Sequence, residues 1–209
     1  VRRGAMHCFN NTGQSCNAPT RMLVQREIYD QAVETAAAVA DKMAIGPASE
    51  EGRHIGPVVN RRQWDQIQGY IQKGIDEGAR LVAGGPGLPD GMNKGFYVRP
   101  TVFADVTPGM TIEREEIFGP VLSVLTFRTP QEGIDKANNT PFGLSAGIWS
   151  EKGSKVLWAS QQLRAGVIWA NTFNKFDPTS PFGGYKESGW GREGGRHGLS
   201  AYLKGVSHE

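Results

Sequence analysis

The sequence predicts an α/β fold with a mainly parallel open sheet flanked by helices, and three observations carry that prediction. Short apolar runs alternate with amphipathic stretches along the chain, a pattern typical of strand–helix–strand units. The run GPVLSVLTF (119–127) is almost continuously apolar, as a strand covered on both faces of a sheet requires. The 209 residues are enough to build a core that folds without disulfides or metal ions.

Strands are predicted where a short run of apolar and β-branched residues is bounded by turn residues. After residue 171 the chain changes to glycine-rich loops with one short helix. The predicted strands are residues 21–25, 80–85, 96–103, 119–127, 144–150 and 165–171.

Helices are predicted where apolar residues recur at helical spacing. Residues 27–43 show this spacing and end at a Gly-Pro breaker, and residues 61–79 place large apolar side chains on one face. Residues 129–139 open with a threonine N-cap, a proline at the first helical position and a glutamate two residues further, which together predict a capping box. Another helix is predicted to start at Ser150.

The composition excludes several functional classes. The 23 basic and 21 acidic residues are scattered, so no basic stripe indicates nucleic acid. No apolar run is long enough to span a membrane, and the start VRRGAMHCFN lacks the apolar region of a signal peptide. Two cysteines cannot form a disulfide framework, which indicates a reducing, cytoplasmic setting. No metal site is predicted.

The loop NNTGQSCNAPTR (10–21) holds the more informative of the two cysteines. A free cysteine is usually a small buried apolar residue, and Cys8 fits that description beside Met6 and Phe9. Cys16 does not fit it, because its neighbours are glycine and small polar residues. Such a loop offers the exposure and the free backbone N–H groups that a reactive thiolate and an oxyanion need. Cys16 is therefore a candidate nucleophile.

A cysteine–histidine pair, as in a cysteine protease or amidase, is the alternative activation scheme. The histidines are His7, His54, His197 and His208, and the sequence brings none of them close to Cys16. This alternative stays open at the level of sequence.

A second candidate site is the acidic stretch TIEREEIFGPVLSV (111–124). Clustered carboxylates are ordinarily a solvated face or the start of a helix. These run directly into Phe118 and a predicted buried strand, and ligands of open α/β sheets bind at strand ends. A carboxylate here could accept hydrogen bonds from sugar hydroxyls, and the phenyl ring could pack on a flat heterocycle. By contrast, GWGREG (189–194) is not a dinucleotide fingerprint, because no strand precedes it.

Four motifs together resemble a known family. GQSC, EEIFGPV, NNTPFGLSAGIWS and PFGGYKESGWGREGG, in this order and spacing, resemble the catalytic domain of the aldehyde dehydrogenase superfamily over essentially the whole chain. The resemblance implies oxidation of an aldehyde to a carboxylic acid, with NAD or NADP as the cofactor. It also implies that Cys16 attacks the aldehyde to form a thiohemiacetal and then a thioester, with its backbone N–H helping to hold the oxyanion.

The resemblance extends to other site residues. Glu116 matches the residue that binds the nicotinamide ribose, and Phe118 matches the ring beside the nicotinamide. Gln63 falls where family members help to hold the adenosine ribose, although Gln66 stands where the family often has a lysine. Asn171 lies at a strand end that lines the substrate funnel in the family.

The resemblance also predicts the domain organisation. Residues 1–195 correspond to a catalytic domain that lacks its start and the preceding dinucleotide-binding domain, and residues 196–209 resemble the oligomerisation tail. A homo-oligomer through the sheet edge and this tail is therefore expected. The family's general-base glutamate and oxyanion asparagine have no counterpart in these residues, so we expect the chain to be part of a longer protein and to turn over slowly by itself.

Two alternatives remain at this point. The isolated chain could be a non-catalytic domain that self-associates without redox turnover, or Cys16 could perform ester or thioester chemistry without a cofactor.

Overall fold

A computed structural model of the protein describes residues 1–205 and separates the chain into two units, Val1–Ala137 and the residues from Asn138 onward. The helices of the first unit are α1 (Arg2–Phe9), α2 (Tyr29–Lys42), α3 (Arg61–Asp76), α4 (Thr111–Arg114) and α5 (Pro130–Asn138), whose last residue opens the second unit. Its strands are β1 (Arg21–Gln25), β2 (Ala44–Ile45), β3 (His54–Ile55), β4 (Arg80–Ala83), β5 (Thr101–Ala104) and β6 (Val121–Phe127).

A four-stranded sheet organises the first unit, with the strand order β1–β6–β5–β4. The β1–β6 and β6–β5 pairs are parallel, and β4 adds an antiparallel edge with an irregularity between Leu81 and Ala83. The predicted α/β fold with a mainly parallel open sheet flanked by helices is confirmed. The strand predicted from its continuous apolar run, β6, is central in this sheet and buried over its first five residues.

The core of this unit has two layers, one on each face of the sheet. Leu122 and Val124 pack toward α1 and α2, whereas Val121 and Leu125 pack toward α3 and α4. This alternation follows from the two-residue period of a strand, which sends successive side chains to opposite faces. Burying each of these side chains stabilises the fold by about 2 kcal/mol. The strand that follows the acidic stretch, β6, is therefore packed on both of its faces.

Some predicted element bounds are wrong, for local reasons. The predicted helix 27–43 begins only at Tyr29, after a short 3₁₀ turn over Arg26–Ile28. The helix predicted over 61–79 ends at Asp76, because the chain reverses at Gly78 with φ +88°. Of the predicted strand 96–103, only the part from Thr101 is extended in the sheet.

Two helix starts also differ from expectation. Thr129 Oγ1 accepts a hydrogen bond from the Glu132 N–H (3.2 Å), but the Glu132 carboxylate accepts from the Arg128 N–H (2.9 Å), so the reciprocal half of the capping box is displaced by one residue. The helix predicted from Ser150 begins at Gly153, because the Ser150 hydroxyl accepts from the Lys152 N–H in a turn.

The second unit combines small sheets with glycine-rich loops. Its strands β8 (Ser145–Ile148) and β9 (Val167–Ala170) pair in parallel, and β7 (Phe142–Gly143) pairs antiparallel with β10 (Tyr185–Lys186). Its helices are α6 (Gly153–Gln162) and α7 (Gly195–Ser200). The predicted tail 196–209 starts within α7, and its residues 206–209 lie outside the described residues. Among residues 1–205, no helix has the length and apolar character needed to cross a membrane.

Candidate functional site

Cys16 lies in the loop that connects α1 to β1. A 3₁₀ turn over Asn10–Gly13 follows α1, and the backbone of Asn11, Thr12 and Gly13 is left-handed. The Cys16 side chain is exposed, whereas Cys8 in α1 is fully buried and both thiols are free. Burial raises the pKa of the Cys8 thiol far above its usual range. Cys8 is thus a core residue, and Cys16 is the accessible thiol.

Several hydrogen bonds within the loop hold its shape. The Gln14 N–H donates to the Asn11 carbonyl (3.1 Å), and the Asn11 side chain donates back to the Gln14 carbonyl (2.9 Å). The Ser15 hydroxyl donates to the Asn17 side-chain oxygen (2.8 Å). Small polar side chains that bond nearby backbone are typical of such turns. Within residues 1–205 the backbone N–H of Cys16 donates to no protein group, so it remains available to an oxyanion.

A histidine partner for Cys16 is not seen. No hydrogen bond or ion pair joins Cys16 to a histidine among the residues that the structure describes. The His54 ring nitrogen lies 3.0 Å from the Pro47 carbonyl, in a different loop. The structure therefore lends no support to a cysteine–histidine pair. Nor does the described part of the chain gather three or more residues that could hold a metal ion.

The cysteine loop packs against the acidic segment through two glycines. A Cβ on Gly13 would overlap the Gly119 carbonyl group and lie 2.6 Å from the Pro120 nitrogen. The Thr12 hydroxyl also donates to the Gly56 carbonyl (2.9 Å), which anchors the same turn on its other side. The GQSC and EEIFGPV motifs, which are distant in sequence, therefore meet at their backbones.

The carboxylates of the acidic segment have different roles. Glu113 is buried in an ion pair with Arg21 (3.0 Å), and Arg21 also donates to the last carbonyls of α5. Glu115 and Glu116 follow the end of α4 and are exposed. Among residues 1–205, no hydrogen bond or ion pair engages the Glu116 carboxylate, which is therefore free to bind a ligand.

Phe118 follows in a left-handed conformation, with φ +54° and a half-buried side chain. A non-glycine residue in this region costs on the order of 1–2 kcal/mol, so neighbouring contacts must hold it there. One such contact comes from Gln63 in the first turn of α3. Its side-chain nitrogen donates to the carbonyl oxygens of Ile117 (3.2 Å) and Phe118 (2.9 Å).

Gln14 adds a link that the sequence did not reveal. Its side-chain oxygen accepts from the backbone N–H of Val59 (2.9 Å), just ahead of α3. Asn60 then caps α3 by accepting from the Gln63 N–H (2.9 Å). The position of Gln14 next to Ser15 and Cys16 was visible in the sequence, but its partner lies 45 residues away and no local pattern indicates it.

Four predicted site residues therefore share the first unit: Cys16, Gln63, Glu116 and Phe118. Asn171 belongs to the second unit and follows β9, with φ +55°. Its N–H donates to the Ile148 carbonyl (2.7 Å), its side-chain oxygen accepts from the Ser150 N–H (2.9 Å), and its side-chain nitrogen donates to the Ser150 carbonyl (3.0 Å). Its amide thus holds the ends of β8 and β9 together.

Comparisons with known proteins agree on one family. The chain matches the model of the aldehyde dehydrogenase family across residues 1–206. A putative aldehyde dehydrogenase from Staphylococcus epidermidis is 43% identical over 195 residues, which cover 93% of this chain and 41% of the relative. The chain therefore spans about two fifths of the length of that relative.

Solved structures give the same result. An aldehyde dehydrogenase from Bartonella henselae is similar with a TM-score of 0.95 at 54% identity, covering 97% of this chain and 42% of that chain. A mutant of aldehyde dehydrogenase C from Pseudomonas syringae, solved with NAD+ and octanal, is similar with a TM-score of 0.94 at 42% identity, covering 97% of this chain and 42% of that chain.

Proposed function

The chain belongs to the aldehyde dehydrogenase family, and from that premise we propose that it carries the nucleophile of an enzyme that oxidises aldehydes to carboxylic acids with NAD(P)+. The observation that carries the proposal is the packing of Gly13 on Gly119, which brings the loop of the exposed Cys16 against the segment of Glu116 and Phe118.

Cys16 begins the reaction. Its thiol loses a proton, and the sulfur forms a bond to the carbonyl carbon of the aldehyde, giving a thiohemiacetal. The negative charge that develops on the carbonyl oxygen is stabilised by the backbone N–H of Cys16, which has no partner within residues 1–205. Loss of a hydride from the same carbon leaves a thioester on Cys16. Water then breaks the sulfur–carbon bond and releases the carboxylic acid and the free thiol.

The acidic segment suits the cofactor. NAD(P)+, when bound, supplies a two-electron acceptor for the hydride that leaves the aldehyde carbon. The exposed Glu116 carboxylate, which is an acceptor without a protein partner among the described residues, fits the hydroxyls of a ribose. The half-buried ring of Phe118 offers a flat apolar surface to a nicotinamide. The Pseudomonas syringae relative, solved with NAD+ and octanal, supports the choice of cofactor and of substrate class.

The decisive experiment replaces the nucleophile in the natural protein that carries this sequence. Cys16→Ala should abolish NADH formation from a simple aldehyde and NAD+, because no thiohemiacetal can form. Cys8→Ala is the matched control, since that thiol is buried and, among residues 1–205, donates to the Val121 carbonyl (3.5 Å) and to no other group. Turnover retained in Cys16→Ala would refute the assignment.

Cofactor-free chemistry at Cys16 is tested in the same preparation. If Cys16→Ala still gives a burst of p-nitrophenol from p-nitrophenyl acetate, Cys16 is not the nucleophile in ester hydrolysis either. We further expect residues 1–209 by themselves to turn over slowly, because the family's general base and cofactor-binding domain have no match in them. A general base or acid raises the rate of such a reaction by roughly 10²–10⁴-fold.

We also propose that the protein self-associates through the end of the chain, residues 196–209, and through a sheet edge. Support comes from large apolar side chains exposed near that end, among them Trp190 at 85% and Tyr202 at 87%. Larger exposed apolar patches mark protein–protein interaction sites. Sedimentation should show an oligomer that Tyr202→Ala weakens, and a wild-type monomer would contradict the proposal. The free thiol of Cys16 further supports a reducing, cytoplasmic compartment.

A further inference from the structure

Gln63 occupies a special position on α3. It is the third residue of the helix, after the Asn60 cap, where a glutamine often reaches back to the N–H of the cap residue. Instead, its side chain crosses to another segment of the chain. The nitrogen donates to the carbonyl oxygens of Ile117 and Phe118, 54 and 55 residues away.

These two bonds use the whole donor capacity of the side chain. A primary amide has two N–H donors, and two backbone carbonyl oxygens lie within hydrogen-bond distance of its nitrogen here. Because both neighbours are acceptors, the chemistry fixes which end of the amide faces them. Only the amide oxygen of Gln63 remains for another partner.

The segment held by Gln63 needs support from outside. Phe118 is left-handed, and Gly119 has no space for a Cβ, since Ile67 would lie 2.6 Å from it. Ile67 is one turn after Gln63 and shares its face of α3. Gly13 of the cysteine loop lies against the carbonyl of the same Gly119. The segment is thus confined between α3 and the loop of Cys16.

We propose that Gln63 is a positioning residue, whose amide holds the backbone at Ile117 and Phe118 and thereby sets the directions of the Glu116 carboxylate and the Phe118 ring. The inference rests on the proposed function for the roles of Glu116 and Phe118. It differs from the expectation from the sequence that Gln63 contacts the cofactor ribose itself, which stays a prediction that the substitutions below test.

Two substitutions separate these roles. Gln63→Glu places a carboxylate against two carbonyl oxygens, whereas Gln63→Met keeps roughly the length of the side chain and removes both the N–H donors and the amide oxygen. For a positioning residue, Gln63→Glu is the more damaging change and lowers kcat/KM on the order of 10²-fold, because the segment is displaced. If Gln63 instead binds the ribose, Gln63→Glu should keep more activity than Gln63→Met. A carboxylate accepts hydrogen bonds from ribose hydroxyls at least as well as an amide does.

Hydrogen exchange in the natural protein, without aldehyde or cofactor, gives a readout other than activity. The Val121 N–H, which donates to the Gly119 carbonyl (2.8 Å), should exchange at least about tenfold faster in both variants, while amides in the middle of β6 keep their rates. Gln31→Glu, the same change at an exposed position of α2, should leave both exchange and kcat/KM as in the wild type.

Unchanged exchange of the Val121 N–H, or Gln63→Glu more active than Gln63→Met, would overturn the proposal. Failure of the proposed function can be told apart from failure of the Gln63 proposal, because in that case the wild-type protein forms no NADH. The exchange measurement decides the role of Gln63 in either case.

Discussion

Gly13, in the turn before Cys16, lies directly against the carbonyl group of Gly119, in the turn before β6. This contact joins the two motifs that carry the proposed chemistry, and it is possible only because Gly13 has no side chain. Gly13 also has φ +69°, a conformation that L residues adopt at a cost.

Gly13→Ala should therefore lower both stability and reactivity. The added Cβ would overlap the Gly119 carbonyl, so the cysteine loop must move away from the acidic segment. We expect a loss of at least about 2 kcal/mol in the free energy of unfolding, with a fall in NADH formation. Gly78→Ala is the matched control, because Gly78 also has a positive φ (+88°) but open space around its Cβ position. Equal losses in the two variants would show that strain, not the contact, is responsible.

Alkylation should distinguish the two thiols. Iodoacetamide at neutral pH should modify Cys16 at least about 10²-fold faster than Cys8, because Cys8 reacts only after the core opens and burial raises its pKa. Peptide mass spectrometry over a time course measures both rates in one sample. Comparable rates would mean that α1 is not packed as described.

The buried ion pair should contribute strongly to stability. Arg21→Met leaves the Glu113 carboxylate, whose side chain is 1% exposed, without its cation, and removes the donors to the Lys136 and Ala137 carbonyls. We expect a loss of about 3 kcal/mol in urea unfolding. Asp65→Asn is the control, because it breaks an exposed pair with Arg61 and should cost less than about 1 kcal/mol. Similar costs for the two variants would argue against the burial of Glu113.

Glu132 should make stability depend on pH in the acid range. Hydrogen bonds from Lys136, and then from the Arg128 N–H, lower the pKa of Glu132 from its ordinary 4.5 to about 2. Because the folded-state pKa is depressed, the stabilisation is fully present above pH 4.5 and is lost as the pH falls toward about 2.

Thermal unfolding of Glu132→Gln across this range measures the effect. The variant should have a lower Tm than the wild type at neutral pH, and the difference should vanish near pH 2. Glu34→Gln makes the same change at an exposed position of α2 and serves as the control for loss of a carboxylate. A Tm difference that stays constant with pH would mean that the Glu132 carboxylate is not held in its charged form.

Much of the fold follows from local patterns in the sequence. The continuous apolar run of residues 119–127 predicted the central strand, and helical spacing predicted α2 and α3, each with small errors at its ends. Those ends depend on individual turns, such as the one at Ser150, that compete with the helix for the same backbone groups.

The candidate site was only partly predictable. The polar neighbours of Cys16 indicated an exposed thiol, and the structure confirms that exposure. The acidic stretch gave no sign that Glu113 is buried against Arg21 while Glu116 is exposed. Glu113 lies in α4 and pairs with a distant arginine, whereas Glu116 lies beyond the end of α4, and only the tertiary structure shows this division. The direction of the Gln63 amide was equally hidden, since its partners are 54 and 55 residues away.

The sequence by itself therefore determined the alternation of strands and helices, the exposed cysteine loop and the resemblance to the family, because periodicity and local polarity are properties of neighbouring residues. Only the tertiary structure decided that Gly13 meets Gly119, that Gln63 holds Phe118 and that Arg21 pairs with Glu113. Those contacts arise when distant segments are packed on the two faces of one sheet, and side-chain volume and hydrogen-bond satisfaction, not local pattern, select them.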